Sequence, residues 1–267
     1  MSFATMRNLL VASLVAGSVN ALPQASSSST TNGSATSTEI VPTATVTSPA
    51  LKKLSQELAD APTVIDRFTH LLGLDGTPLT PDEIQQRVVF DFNVAPPNPG
   101  AKAGRGAYLA NRANFPILTG TGISWSNVFF DPCGLVTPHI HPRADEFLMT
   151  TEGTVETGMY IETGFETVIN ATLPAYQGTV FPRGTLHYIQ NPTCDPAATV
   201  AAFNSEDPGQ SIMAQGMFAL DPNVVDAVLG FPEYFDPKNI DSFRASLPVS
   251  VALGIEECLT RCNIAKN

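Results

Sequence analysis

Four histidines occur in the 267 residues of this chain, and three of them fall in two short clusters. The first cluster is Pro138-His139-Ile140-His141-Pro142-Arg143-Ala144-Asp145-Glu146, and the second runs from Phe181 through His187 to Asn191. On an extended segment alternate residues point the same way, so His139 and His141 can present two imidazoles to one point. Glu146 follows a proline-led turn at the head of an apolar strand, from which its carboxylate can swing to the same face. His187 supplies a third imidazole from a later strand. Three neutral nitrogens and one anionic oxygen suit a divalent transition metal with coordination positions left for water or a small ligand. With no thiolate in the set, the donors tilt toward Mn, Fe, Co or Ni, with Zn or Cu as further candidates. His70 lies apart in a helical stretch and is expected to be an ordinary hydrogen-bonded or surface residue.

Other residues near these clusters carry weaker signals. Asp145 adjoins Glu146, but neighbouring strand residues face opposite ways, so it is expected to be solvated rather than a catalytic partner. Arg143 and Arg183 flank the two clusters and read as surface arginines at the mouth of the site. Phe129, Phe147, Phe181 and Tyr188 are expected in the core. No residue is assigned a catalytic role.

The elements that must position these donors are legible from periodicity. From about Val88 to Phe218 the chain shows short alternating or apolar runs broken by Gly, Pro and Asn, such as Ile123–Phe130, Glu146–Thr150, Thr154–Ile161 and Thr199–Asn204. Many short strands with frequent turn signals predict an all-β core, a sandwich or a jelly-roll barrel. Before it, Leu51, Leu54, Leu58, Val64, Phe68 and Leu72 recur at helical spacing, interrupted at Pro62 and stopped at Gly73. Thr80-Pro81-Asp82-Glu83 has an N-cap residue followed by proline, which predicts another helix start. Helical signals return after Leu220, where Asp221-Pro222 opens a run of Val224, Val225, Ala227, Val228 and Leu229. The expected organisation is a helical segment over 49–85, one barrel over 86–220 and a helical extension over 221–267. No internal repeat suggests a second barrel.

The two clusters resemble the paired signatures of the cupin superfamily, in particular germins, germin-like proteins and their spherulin-like relatives. The first signature joins His-x-His to a glutamate and, six residues later, a glycine, here His139, His141, Glu146 and Gly153. The second, Pro-x-Gly-x-x-His-x-x-x-Asn, is matched by Pro182, Gly184, His187 and Asn191. The glycines that open the two signatures are replaced by Cys133 and Tyr176, with Gly134 and Gly178 nearby. The resemblance implies a jelly-roll β-barrel with manganese in its mouth, held by His139, His141, Glu146 and His187. It also implies a homo-oligomer, a trimer or hexamer, built through C-terminal helices. Oxalate-oxidising germins place asparagines beside the metal, and the corresponding positions hold Ser126 and Val136, with Asn127 on the opposite strand face. That weakens the expectation of oxalate oxidation. Superoxide dismutation at the metal, or a structural role in a wall, spore or cyst coat, are the readings left open.

Bulk properties bound the rest. A net charge of −11 argues against nucleic acid or an anionic membrane as partner, while a small anion or oxygen species at the metal remains compatible. Arg7, the apolar run Leu9–Ala16 and Val19-Asn20-Ala21 have the three-part order of a signal peptide over 1–21. The apolar run is too short to cross a hydrocarbon core of ~30 Å. Residues 22–48 are rich in Ser, Thr, Ala and Pro and are expected to be a disordered lead. Asn32 and Asn170 head glycosylation sequons, as expected of a secreted protein. Four cysteines permit three pairings. Cys258 and Cys262, four residues apart, and Cys133 and Cys194, in loops flanking the histidine clusters, are the expected pairs. A cysteine zinc site is disfavoured, because no CxxC is present.

Overall fold

The computed structural model describes residues 49–76, 78–93, 106–232, 236–247 and 251–265. The expected signal segment, the Ser/Thr-rich lead and Asn32 lie outside the described residues.

Three helices come first: α1 (Pro49–Asp60), α2 (Val64–Leu71) and α3 (Pro81–Val88). Pro62 lies in the break between α1 and α2, and Gly73, with φ +66°, follows the end of α2. Helix α3 opens with a reciprocal capping box, in which Thr80 and Glu83 each satisfy the other's backbone N–H.

Ten strands follow: β1 (Gly106–Ala110), β2 (Ser124–Phe130), β3 (Gly134–Ile140), β4 (Glu146–Glu152), β5 (Thr154–Tyr160), β6 (Ile169–Pro174), β7 (Gly178–Phe181), β8 (Leu186–Gln190), β9 (Ala197–Phe203) and β10 (Ser211–Ile212). After them come α4 (Met213–Phe218), α5 (Pro222–Leu229), α6 (Ile240–Ser246), β11 (Val251–Leu253) and α7 (Glu256–Arg261). One antiparallel sheet has the order β1-β2-β9-β4-β7; the other has β10-β3-β8-β5-β6, with β11 also pairing with β3. The protein is thus mostly β, two antiparallel sheets with helices at either end of the chain. Val251–Leu253 is a strand, where the sequence pattern predicted a helical extension.

Strand β2 alternates buried and half-buried residues along its length, as a strand with one inward face must. The inward faces of both sheets form one core that includes Phe130, Leu148, Val155, Phe181, Ile189, Phe203 and Val251. Phe147 corrects an expectation. It lies between buried Glu146 and Leu148 on β4, so period 2 turns it outward, and it is 48% exposed. Phe129 and Tyr188 are half-buried, and only Phe181 of that set is fully in the core.

The disulfide pairing also differs from the expected one. Cys133 is bonded to Cys258, and Cys194 to Cys262. Helical i,i+4 side chains have Cβ atoms about 5–6 Å apart, beyond the roughly 3.5–4.5 Å that a disulfide needs. Cys258 of α7 and Cys262 just after it therefore reach outward to the barrel, one to the loop before β3 and one to the loop after β8. This C-terminal segment is stapled twice at the ends of β3 and β8 remote from His139 and His187, where Cys133, Cys258 and Leu259 form a small core of their own.

The two cysteine and tyrosine positions that replace signature glycines have left-handed backbone, φ +58° at Cys133 and φ +63° at Tyr176. Each is the third residue of a tight turn. Gly134 N–H donates to Asp131 C=O at 3.0 Å, and Gln177 N–H to Pro174 C=O at 3.0 Å. A type II turn needs positive φ at that place, so the backbone demand survives although the glycine does not.

Candidate metal centre

His139 lies on β3, His141 just beyond it, Glu146 at the start of β4 and His187 on β8. The pairing of β3 with β8 shifts register between Val136 and His139. That irregularity turns Pro138 outward and His139 inward, and His141, two residues on, follows to the same side. His139 and His187 are direct cross-strand partners. Glu146 enters from the opposite sheet, where its register partners are Phe181 and Phe203. Those two rings wall the site: Phe181 stacks on His187 with centroids 4.1 Å apart, and Phe203 packs on His141 at 4.6 Å.

One ligand atom from each of the four residues lies within 4.8 Å of the others, and all four side chains are buried. Every imidazole is oriented through Nδ1. His139 donates to Thr137 C=O at 2.8 Å, His187 to Thr185 C=O at 3.0 Å, and His141 to Gly209 C=O at 2.6 Å. A proton on Nδ1 leaves the Nε2 lone pair of a neutral ring facing the centre.

There the geometry becomes informative. Nε2 of His141 and of His187 lie 3.1 and 3.2 Å from Oε2 of Glu146. Lone pairs then face a carboxylate at hydrogen-bond distance, which is repulsive unless a proton or cation stands between them. No lysine or arginine is buried among the described residues, so no side-chain cation neutralises Glu146, and a buried carboxylate without one is costly. The donor set fits a divalent cation.

Electrostatics agree. Burial, reinforced by His187 and His141, pushes His139 down to about 3, so its ring stays neutral and ready to donate a lone pair. Burial alone would raise Glu146. A proton standing between its carboxylate and Nε2 of His141 or His187, in the place a metal ion would otherwise take, outweighs that and holds it below the usual carboxylate range.

The remaining candidates fall elsewhere. His70 is on α2, partly exposed and paired with Asp75. Asp145 faces away from Glu146, accepting from Arg183 N–H at 2.8 Å and Asn204 Nδ2 at 2.6 Å. Arg143 and Arg183 are exposed. Ser126 and Val136 point into the barrel, and Asn127 lies on the other face of β2. Sequence reasoning missed Gly209, whose carbonyl orients His141. Asp207-Pro208-Gly209 does signal a turn, but nothing local says which side chain it meets.

The family model described as Cupin matches residues 92–240, more than half of the chain. The chain belongs to the cupin family. Within it, Spherulin-1A of Physarum polycephalum is 31% identical over 218 residues, covering 82% of each chain. Germin-like protein 5-1 of Oryza sativa subsp. japonica is 37% identical over 138 residues, 52% of this chain and 62% of that one. The chain is a germin-like, spherulin-like cupin. A solved structure of oxalate oxidase superposes with a TM-score of 0.51 at 22% identity, over 64% of this chain and 86% of that one; it shows the fold.

Proposed function

We propose that this protein is a secreted germin-like cupin that holds one divalent transition metal, manganese first among candidates, and acts on a small oxygen species such as superoxide. The ligands would be Nε2 of His139, His141 and His187 and a carboxylate oxygen of Glu146. The observation that carries this reading is the convergence of three Nδ1-anchored imidazoles on a buried, otherwise uncompensated carboxylate. A bound manganese ion would supply a redox couple with open coordination positions. The chain's own part is to keep the rings neutral, to fix their orientation and to wall the site with Phe181 and Phe203.

The interior is poorly suited to a dianion. Ser126 and Val136 replace the asparagines of oxalate-oxidising germins, and among the described residues no buried lysine or arginine stands in for them. Oxalate oxidation is therefore the weaker reading. A second reading has independent support: the twice-stapled α7 fits a durable extracellular coat component, in which the metal chiefly stabilises the barrel by binding only the folded state. Secretion is supported by the signal-like order of residues 1–21 and by two disulfides. No helix among the described residues is long and apolar enough to cross a membrane. Exposed Val224, Val228 and Phe231 on and after α5 favour a homo-oligomer, a trimer or hexamer. Asn170 is exposed on β6, as a glycosylated asparagine must be.

The deciding experiment is metal analysis of the natively secreted protein, followed by a superoxide assay. About one manganese per chain, with superoxide removal abolished in His187→Ala, supports the redox reading. Zinc in place of manganese, or no removal of superoxide, overturns it in favour of the coat component.

A further inference from the structure

Two of the three imidazoles are oriented by residues close by in the chain. His139 and His187 each bond the carbonyl two residues earlier, Thr137 and Thr185. His141 is different, because its Nδ1 partner, Gly209 C=O, is 68 residues away on the loop between β9 and β10. The orientation of this ring is only as good as the placement of that loop.

Ser205 Oγ accepts from Asp207 N–H at 3.2 Å and β10 pairs with β3 just beyond Gly209, but the side chain with the most contacts to the Asp207–Gly209 segment is Arg143. Arg143 donates from Nε to Asp207 C=O at 2.9 Å and from Nη2 to Asp207 Oδ1 at 2.7 Å. Its backbone N–H donates to Pro208 C=O at 3.1 Å. Gly209 has φ +66°, and a Cβ there would come within 2.8 Å of Arg143 Nη2, so the guanidinium lies directly on this glycine. The beginning of the loop is held separately, by the pair Asp145–Asn204 and by Glu206 on Arg112. A planar fork can bind a carbonyl and a carboxylate together, which a lysine ammonium on a flexible stem does poorly.

We propose that Arg143 is a positioning residue for His141: by fixing the Asp207–Gly209 segment it selects the Nδ1–H tautomer and aims Nε2 into the site. The inference rests on reading His141 as a metal ligand. It assigns a role to a half-exposed arginine that as a plain surface ion pair would be worth little.

The test uses the full secreted chain, stripped of metal and reloaded with Mn(II) alone, with variants Arg143→Gln, Arg143→Lys and His141→Ala. The readouts are Mn(II) affinity and the imidazole nitrogen NMR signals of the metal-free protein. Arg143→Gln is expected to shift the His141 signals away from the Nδ1–H tautomer, leave those of His139 and His187 in place, and weaken Mn(II) about tenfold. Arg143→Lys is expected to fall between that variant and the parent. If His141→Ala loses Mn(II) while Arg143→Gln keeps both affinity and tautomer, the positioning role is wrong and the ligand reading stands. Undiminished Mn(II) binding in His141→Ala defeats the ligand reading itself. Should Arg143→Gln fail to fold, Asp207→Asn, which loses the ion pair but keeps the carbonyl contact, is expected to shift the same signals less. Unchanged His141 signals in that variant overturn the proposal.

Discussion

At the scale of single residues, the site is a set of four donors whose worth lies in their protonation and aim. His187→Ala removes one donor, and metal affinity is expected to fall tenfold or more, since even losses one shell out can cost that much. Titration of the metal-stripped variant against the parent checks this, with circular dichroism showing that the barrel persists. Acid should act through the same groups. His139 falls from an ordinary 6.5 to about 3 on folding, so between those values the unfolded chain holds more protons than the folded one. Stability of the metal-free protein must therefore drop as pH falls below about 6.5, by at most about 1.4 kcal/mol per unit for this one proton. Glu146, also lowered, adds a loss in the same direction below the ordinary carboxylate range. Urea midpoints at pH 7 and pH 5 test the sign: a metal-free protein as stable at pH 5 as at pH 7 would contradict the buried, neutral His139. That these four side chains meet was legible in the sequence, because two sit at strand period and all fall within matched signatures. The Gly209 carbonyl was not, because a contact across 68 residues leaves no local pattern.

At the scale of elements, local rules wrote most of the secondary structure. The break at Pro62, the stop at Gly73 and the Thr80–Glu83 box are all short-range chemistry, and all are visible in the chain itself. Strand β11 was illegible for the opposite reason, since Val251–Leu253 is a strand only by virtue of pairing with β3. The strained turns offer a quantitative check. Tyr176 is 81% exposed, so its ring contributes little packing, yet its φ of +63° costs a non-glycine residue about 1–2 kcal/mol. Glycine would remove that cost and forfeit roughly 0.5–1 kcal/mol in unfolded-state entropy. Tyr176→Gly is thus expected to stabilise the barrel by about 0.5–1 kcal/mol, read as a higher denaturant midpoint. Gly153→Ala should do the reverse. It needs φ +71° between β4 and β5, and a Cβ would come within 2.9 Å of Pro196 C=O.

At the scale of the whole molecule, the two disulfides close segments of 125 and 68 residues, each anchoring α7. Each is expected to contribute about 2–4 kcal/mol, chiefly by restricting the unfolded chain; a lower melting temperature after reduction measures the sum. The pairing also carries a consequence for biogenesis. Cys133 and Cys194 are neighbours in the finished barrel, where Cys133 N–H donates to Thr193 C=O at 3.1 Å, and both emerge well before Cys258 and Cys262 are made. A chain entering an oxidising compartment N-terminus first therefore has the Cys133–Cys194 bridge as its earliest option, and a bridge formed then is expected to be exchanged when α7 arrives. Maturation would then depend on a thiol–disulfide isomerase, and chains truncated before Cys258 would be trapped with the provisional bridge. Alkylation of such truncated chains tests this: two free thiols at Cys133 and Cys194 would show that the barrel waits for its own terminus before committing to a bond.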